Sequence, residues 1–214
     1  MHVLSFCFNP FQENTYILYD ESGECVVVDP GNSNPHENQT LLEAVQHHCL
    51  KPQAIWLTHG HADHVCGNAF VAHRWGIPIA IHPLDQPLLR EAPFFVSLFG
   101  FRMEASPEPS QFFDHGTTLS FGQSTLEVRH IPGHAPGHVV FVHHPSRQVI
   151  GGDVLFLESI GRTDLPGGDF ETLANGIRKH LYTLPDDYTV WPGHGPSTTI
   201  GHEKKFNPFV RESS

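Results

Sequence analysis

Apolar residues in this chain fall into short runs divided by Gly, Pro, Asn and Asp. Val3 to Phe8, Thr15 to Tyr19 and Cys25 to Val28 are rich in β-branched and aromatic side chains, with Asn9-Pro10 and Asp20-Glu21-Ser22-Gly23 between them. Runs of this kind bounded by turn residues predict strands. Leu41, Leu42, Val45 and Cys49 have helical spacing and predict a helix over about 36–49, closed by Lys51-Pro52. A strand over 54–57, a helix from Val65 to Trp75 and a strand from Ile79 to Ile81 follow. Residues 83–112 are dense in Pro and Phe and show no period. They predict a short helix and a long irregular segment, which either lies over a pocket or is a packing excursion without a role.

From Thr117 the β pattern returns, over 117–121, 124–130, 138–143 and 147–150. Leu173, Ile177 and Leu181 mark a helix from Phe170, and a strand over 188–191 and a short helix after Gly201 complete the chain. Strands then helices, twice over, predict two sheets packed face to face with helices outside. The 214 residues, 39% of them hydrophobic, suffice for one domain spanning 1–214.

Charge narrows the partners. A formal net charge of -11 disfavours a nucleic-acid backbone, which needs clustered Lys and Arg. No apolar stretch is long enough to span a bilayer, and Met1-His2-Val3-Leu4-Ser5-Phe6 does not read as a signal peptide, so a cytoplasmic protein without a membrane partner is expected. Cys7, Cys25, Cys49 and Cys66 form no C-x-x-C pair and are expected to be reduced, partly buried thiols, with Cys66 a small packing residue.

Candidate chemistry sits where the strand-like runs end. Thr58-His59-Gly60-His61-Ala62-Asp63-His64 follows Ala54-Ile55-Trp56-Leu57; Pro132-Gly133-His134 follows Leu126 to Ile131. Gly151-Gly152-Asp153 follows Gln148-Val149-Ile150, and Pro192-Gly193-His194-Gly195 follows Tyr188 to Trp191. Ligands gather at the carboxyl ends of strands in open α/β sheets. Five histidines and two aspartates exceed the four ligands of one tetrahedral zinc. They suit two divalent ions, zinc first and iron or manganese next, with His59, His61 and His134 on one and Asp63, His64 and His194 on the other. Asp153 would bridge, and Asp63 would also serve catalysis. A hydroxide between the metals, formed because binding lowers the pKa of water to roughly 7, is then the expected nucleophile.

His59-x-His61-x-Asp63-His64 with His134, Asp153 and His194 resembles the metallo-β-lactamase superfamily, as does Asp29-Pro30-Gly31, expected to support the site from behind. The resemblance implies a four-layer αβ/βα sandwich. Gly161-Arg162-Thr163-Asp164-Leu165-Pro166-Gly167-Gly168, Pro192-Gly193-His194-Gly195-Pro196 and Gly201-His202-Glu203-Lys204-Lys205-Phe206-Asn207-Pro208-Phe209 resemble the short glyoxalase II (hydroxyacylglutathione hydrolase) branch. That implies hydrolysis of a small-molecule thioester such as S-2-hydroxyacylglutathione. Long members hold glutathione with a C-terminal helical domain, whereas about 20 residues follow His194 here.

The same Gly161-Arg162-Thr163-Asp164 segment also resembles the superfamily's persulfide dioxygenases. Those would use one iron on His59, His134 and Asp153. β-Lactamase activity is disfavoured by Asp153, where lactamases usually carry Cys. Arg162 is a candidate fork for a substrate carboxylate, or else the partner of Asp164 or Asp169. His138 is a candidate for orienting a ligand by hydrogen bonding. His47, His48, His143, His144 and His180 read as surface residues, and His82 and His115 as structural.

Overall fold

The alternation of the apolar runs sorts side chains to two faces of each strand, because successive side chains point oppositely. The computed structural model describes residues 1–211. One sheet is ordered β1 (His2–Phe8), β2 (Glu13–Tyr19), β3 (Glu24–Val28), β4 (Lys51–Trp56), β5 (Ile79–Ile81), β6 (Gln111–Phe112). Its first three strands are antiparallel and the rest parallel. The other is ordered β14 (Thr198–Thr199), β13 (Thr189–Pro192), β10 (Gln148–Gly152), β9 (Val139–His143), β8 (Ser124–His130), β7 (Thr118–Phe121). A small hairpin, β11 (Leu155–Phe156) and β12 (Ser159–Ile160), stands apart.

Tyr16, Leu18, Val26, Val28 and Trp56 from the first sheet meet Phe121, Leu126, Val128, Val139, Phe141 and Ile150 from the second. The intervening residues face outward. Ile17, Val27 and Ile55 pack under the first helical layer, and Val140, Val142, Val149 and Val190 under the second. The first layer comprises α1 (Pro35–His47), α2 (Ala62–Val65), α3 (Asn68–Trp75) and α4 (Gln86–Ser97); the second comprises α5 (Phe170–His180) and α6 (Ile200–Phe206). This is the expected αβ/βα sandwich. Each fully buried aliphatic or aromatic side chain contributes roughly 1.5–3 kcal/mol. Among the described residues no helix is long and apolar enough to cross a membrane.

Several boundaries differ from the sequence expectation. Lys51-Pro52 begins β4 rather than closing α1, and the β3–β4 register shifts beside that proline, which cannot donate a ladder hydrogen bond. The helix expected from Val65 starts at Ala62 and breaks at Cys66-Gly67. A Cβ on Gly67 would lie 2.0 Å from Asn32 Oδ1, so the chain turns where backbone meets that side chain. The short helix within 83–112 reaches 12 residues and carries Pro93 in its interior. His143 is buried and bonded to Ser146, not a surface residue.

Asp20 joins the sheets at the end of β2. It accepts hydrogen bonds from Ser22 N–H and hydroxyl and, across the interface, from Gln123 N–H and the Ser124 hydroxyl. Burial alone would raise its pKa, but these donors prevail and hold it at about 2. A folded pKa below the unfolded value of about 3.9 means that ionised Asp20 stabilises the fold above that pH, and that this is lost as pH falls through about 2. Asp20→Asn is expected to cost about 1 kcal/mol near neutrality, allowing for solvent screening. Urea titrations should show the gap to wild type closing near pH 2; a gap independent of pH would refute this role.

Candidate metal centre

Each of the four strand-end loops delivers its side chains to one edge of the interface between the sheets. His59 and His61 leave the end of β4, and Asp63 and His64 lie in α2. His134 follows β8, Asp153 follows β10 and His194 follows β13. Donor atoms of His59, His61 and His134 lie within 4.8 Å of one another, and so do those of Asp63, His64 and His194. Asp153 stands between the trios: its Oδ2 is 3.5 Å from His134 Nε2 and 3.6 Å from His194 Nε2, and its Oδ1 is 3.4 Å from His64 Nε2. His194 Nε2 is 3.2 Å from Asp63 Oδ2. All seven predicted side chains are thus brought together.

The surroundings set which ring nitrogen faces the centre. His134 Nδ1–H donates to the Arg162 carbonyl at 2.8 Å, and His194 Nδ1–H to the carbonyls of Phe11 and Gln12. Carbonyls only accept, so both rings carry their proton outward and present Nε2 inward. His64 Nδ1–H donates to Asp29 Oδ2 at 3.1 Å. The Thr58 hydroxyl donates to the same carboxylate at 2.5 Å, which leaves its lone pair to accept from His59 Nδ1–H. Asp29 Oδ1 accepts Thr58 N–H. Asp29 has φ 48, in the left-handed region that aspartate tolerates better than most residues, and its two bonded oxygens hold it there.

His138 lies behind the centre, fully buried and stacked on His59, and its Nε2 accepts Asp153 N–H. It therefore orients a donor loop through the backbone, as the sequence suggested. Glycine is required where the loops touch. A Cβ on Gly193 would lie 2.1 Å from Asp153 Oδ1, and Gly152, at φ +47, would meet Thr58 Oγ1 at 2.5 Å.

Charge balance inside the cluster is uneven. Burial and then its histidine neighbours push the His59 imidazole well below its usual range, and burial followed by His134 lowers His61 to about 4. For His64 burial acts downward, but Asp153 and Asp63 prevail and raise it. Burial would raise Asp153, yet His64 and then His134 and His194 drive it far below the ordinary carboxylate range. The buried atoms His59 Nε2, His64 Nε2 and Asp153 Oδ1 have no hydrogen-bond partner. Orphaned groups of this kind each cost about 1–3 kcal/mol. Divalent cations would answer all three, and the donor set of imidazoles and carboxylates suits them, so the residues fit the metals.

Residues without a recognisable motif complete the site. Asp85 is buried at 0% exposure and accepts Gly60 N–H and Gly137 N–H, tying the His59 loop to the His134 loop. Burial raises its pKa to about 6. Asn9 donates to the carbonyls of Gly31 and Asp63. Glu13, fully buried, faces His64 Nδ1 at 3.8 Å. The Arg162 guanidinium is paired through Nε and Nη2 with Asp164, and both residues are exposed, so of the two readings the structure contains the ion pair. Cys66 is partly buried and its thiol donates to the Ala62 carbonyl; burial pushes its pKa to about 12.

Paired sheets with a His/Asp cluster at their shared edge define the metallohydrolase class of αβ/βα protein. The chain belongs to the metallo-β-lactamase superfamily, whose family model matches residues 8–194. It is 36% identical to hydroxyacylglutathione hydrolase GloC of Haemophilus influenzae over 206 residues, covering 95% of each chain. Two solved structures superpose closely. BLEG-1 B3 metallo-β-lactamase does so with TM-score 0.90 and 34% identity, over 98% of this chain and 99% of that one. TTHA1623 in a di-iron-bound form does so with TM-score 0.86 and 39% identity, over 98% and 100%.

Asp29 supports both trios at once, through Thr58 and His64. Asp29→Ala is expected to weaken metal binding by roughly ten- to a hundredfold, the usual effect of losing a hydrogen bond to a ligand. Competition against a chromogenic chelator would measure it. Unchanged affinity in a folded variant would show that Asp29 only shapes the turn.

Proposed function

We propose that this protein is a dinuclear metallohydrolase of the glyoxalase II type that cleaves a small-molecule thioester, such as an S-2-hydroxyacylglutathione or a simpler acyl-thiol. The observation that carries the reading is Asp153 Oδ2 lying about equally far from His134 and His194, one from each trio. A complete second trio supports this arrangement over a site needing only His59, His134 and Asp153 for one iron.

His59, His61 and His134 would hold one cation, Asp63, His64 and His194 the other, and Asp153 both. Bound there, the cations would make water a stronger acid and polarise a carbonyl. The chain's own part is to aim the imidazoles and to keep His59 and His61 neutral. Burial keeps His59 and His61 unprotonated, the ligand form of histidine. Asp63, which lines the cleft with its side chain 21% exposed, would orient the attacking water. In the overall reaction water oxygen bonds to the acyl carbon, the C–S bond breaks, and a carboxylic acid and a thiol leave with no net redox change. Zinc is the first expectation, with iron and manganese as alternatives; the di-iron form of TTHA1623 keeps iron in view.

Anaerobically purified protein loaded with zinc, manganese or iron is expected to hydrolyse S-lactoylglutathione or a simpler thioester without consuming oxygen. Oxygen uptake with glutathione persulfide and no thioester cleavage would overturn the reading. So would β-lactam cleavage alone, an arm warranted by the likeness to BLEG-1.

Two ions per chain are expected by elemental analysis, and Asp153→Ala should lose most of both. A single ion in fully loaded, active protein would refute the dinuclear assignment.

A further inference from the structure

The mouth of the metal centre is aromatic. A cleft of about 460 Å³ opens over His61, Asp63, His134, Asp153 and His194, and its remaining wall includes Phe11, Phe95, Phe99, Phe156, Ile160 and Leu165. The rings form a connected surface: Phe11 meets Phe99 edge-on at 5.6 Å, and Phe95 lies 5.5 Å from Phe99. Phe95 and Phe99 remain 42% and 53% exposed. A second cavity of about 180 Å³ shares His61, Ala62, Phe95 and Leu165 with the first and continues between Leu88 and Pro166. An apolar path therefore runs from the metal ligands past Phe95 and beneath α4. Helix α4 already buries Leu89, Ala92 and Val96 against the core, so its packing does not require the Phe95 ring to face the cleft, and Phe99 lies in the turn just past its end.

The charges along this path do not suit a tripeptide thiol with two carboxylates. Among the described residues lining the two cavities, Arg162 is the one permanent cation, and Asp164 already takes the Nε and Nη2 side of its guanidinium. Glu91 adds a negative charge to the inner cavity. Exposed apolar surface joined to a reactive centre is the usual mark of a ligand site.

We propose that the centre takes thioesters with an extended apolar acyl group, straight-chain or aryl, carried on a thiol without clustered negative charge. The inference rests on the hydrolase reading above. The acyl carbon lies at the metal ligands, the chain runs along Phe99 and Phe95, and the thiol leaves through the open mouth.

The test uses metal-loaded protein and acyl thioesters of N-acetylcysteamine from butanoyl to octanoyl, together with the lactoyl thioester and the octanoyl and lactoyl thioesters of glutathione. Expected is a rise in kcat/KM of roughly fourfold per methylene until the path is full. The octanoyl thioester should exceed the lactoyl one on the same thiol by tenfold or more. Phe95→Ala and Phe99→Ala should each cut the octanoyl-to-lactoyl ratio about tenfold, while Phe99→Leu should keep most of it. Metal content would verify that each variant is folded. Equal or better turnover of the lactoyl thioesters would overturn this inference and leave the hydrolase reading standing. Cleavage of no thioester would overturn both. A dimer in sedimentation that Phe99→Ala dissolves, with acyl preference unchanged, would assign the aromatic face to a second copy of the chain instead.

Discussion

The structure depends on holding five imidazoles and two carboxylates together at the sheet edge, several of them buried where few other partners are offered. Imidazoles packed this closely cannot all be protonated, and buried carboxylates cannot all be ionised without cations. The protein meets part of the conflict internally, through Asp153 and Asp63 against His64 and His194. The rest remains as unpartnered nitrogens and oxygens at the centre. That residue of unsatisfied polarity is what suits the site to cations rather than to a hydrogen-bonded core.

Such a cluster stays in place because its loops are fastened from both sheets. Asn14 donates to the carbonyls of Pro192 and Gly195, the Tyr16 hydroxyl donates to the same Pro192 carbonyl, and Asn14 N–H bonds to Gly193 O. These contacts attach the His194 loop to β2, in the opposite sheet. Asp85 does the same between the His59 and His134 loops. Asp29 and Gly152 accept left-handed backbone angles to let the loops meet. Strain and polar burial thus collect at the sheet edge, while the apolar layers beneath supply the stability that tolerates them.

Phe11 links this scaffold to the substrate side. Its carbonyl orients His194, while its ring joins Phe99 at the mouth. The loop that aims a donor also walls the cleft, so Phe11 couples that wall to the His194 ring.

Strands, helix α5 and the seven clustered side chains were legible in the sequence because they obey local rules. Alternation sorts faces, helical spacing marks stripes, and strand-end ligands have a fixed relation to the elements that carry them. Asp29 was visible through the family resemblance of Asp29-Pro30-Gly31, and His138 through its place just before β9. Asp85, Asn9 and Glu13 were not, because each acts on a partner distant in sequence and carries no spacing of its own. The same reason separates the two readings of Arg162: residue type permits either a substrate carboxylate or Asp164, and only the folded loop places Asp164 within 2.8 Å. Composition showed many Phe residues between 83 and 112 but not which would line the cleft. Local periodicity and motif chemistry, read from the sequence by itself, thus determined the layers and the donors. Tertiary structure alone decided which oxygen each histidine faces and which rings meet at the mouth, because hydrogen bonds and packing across loops depend on positions that no local pattern encodes.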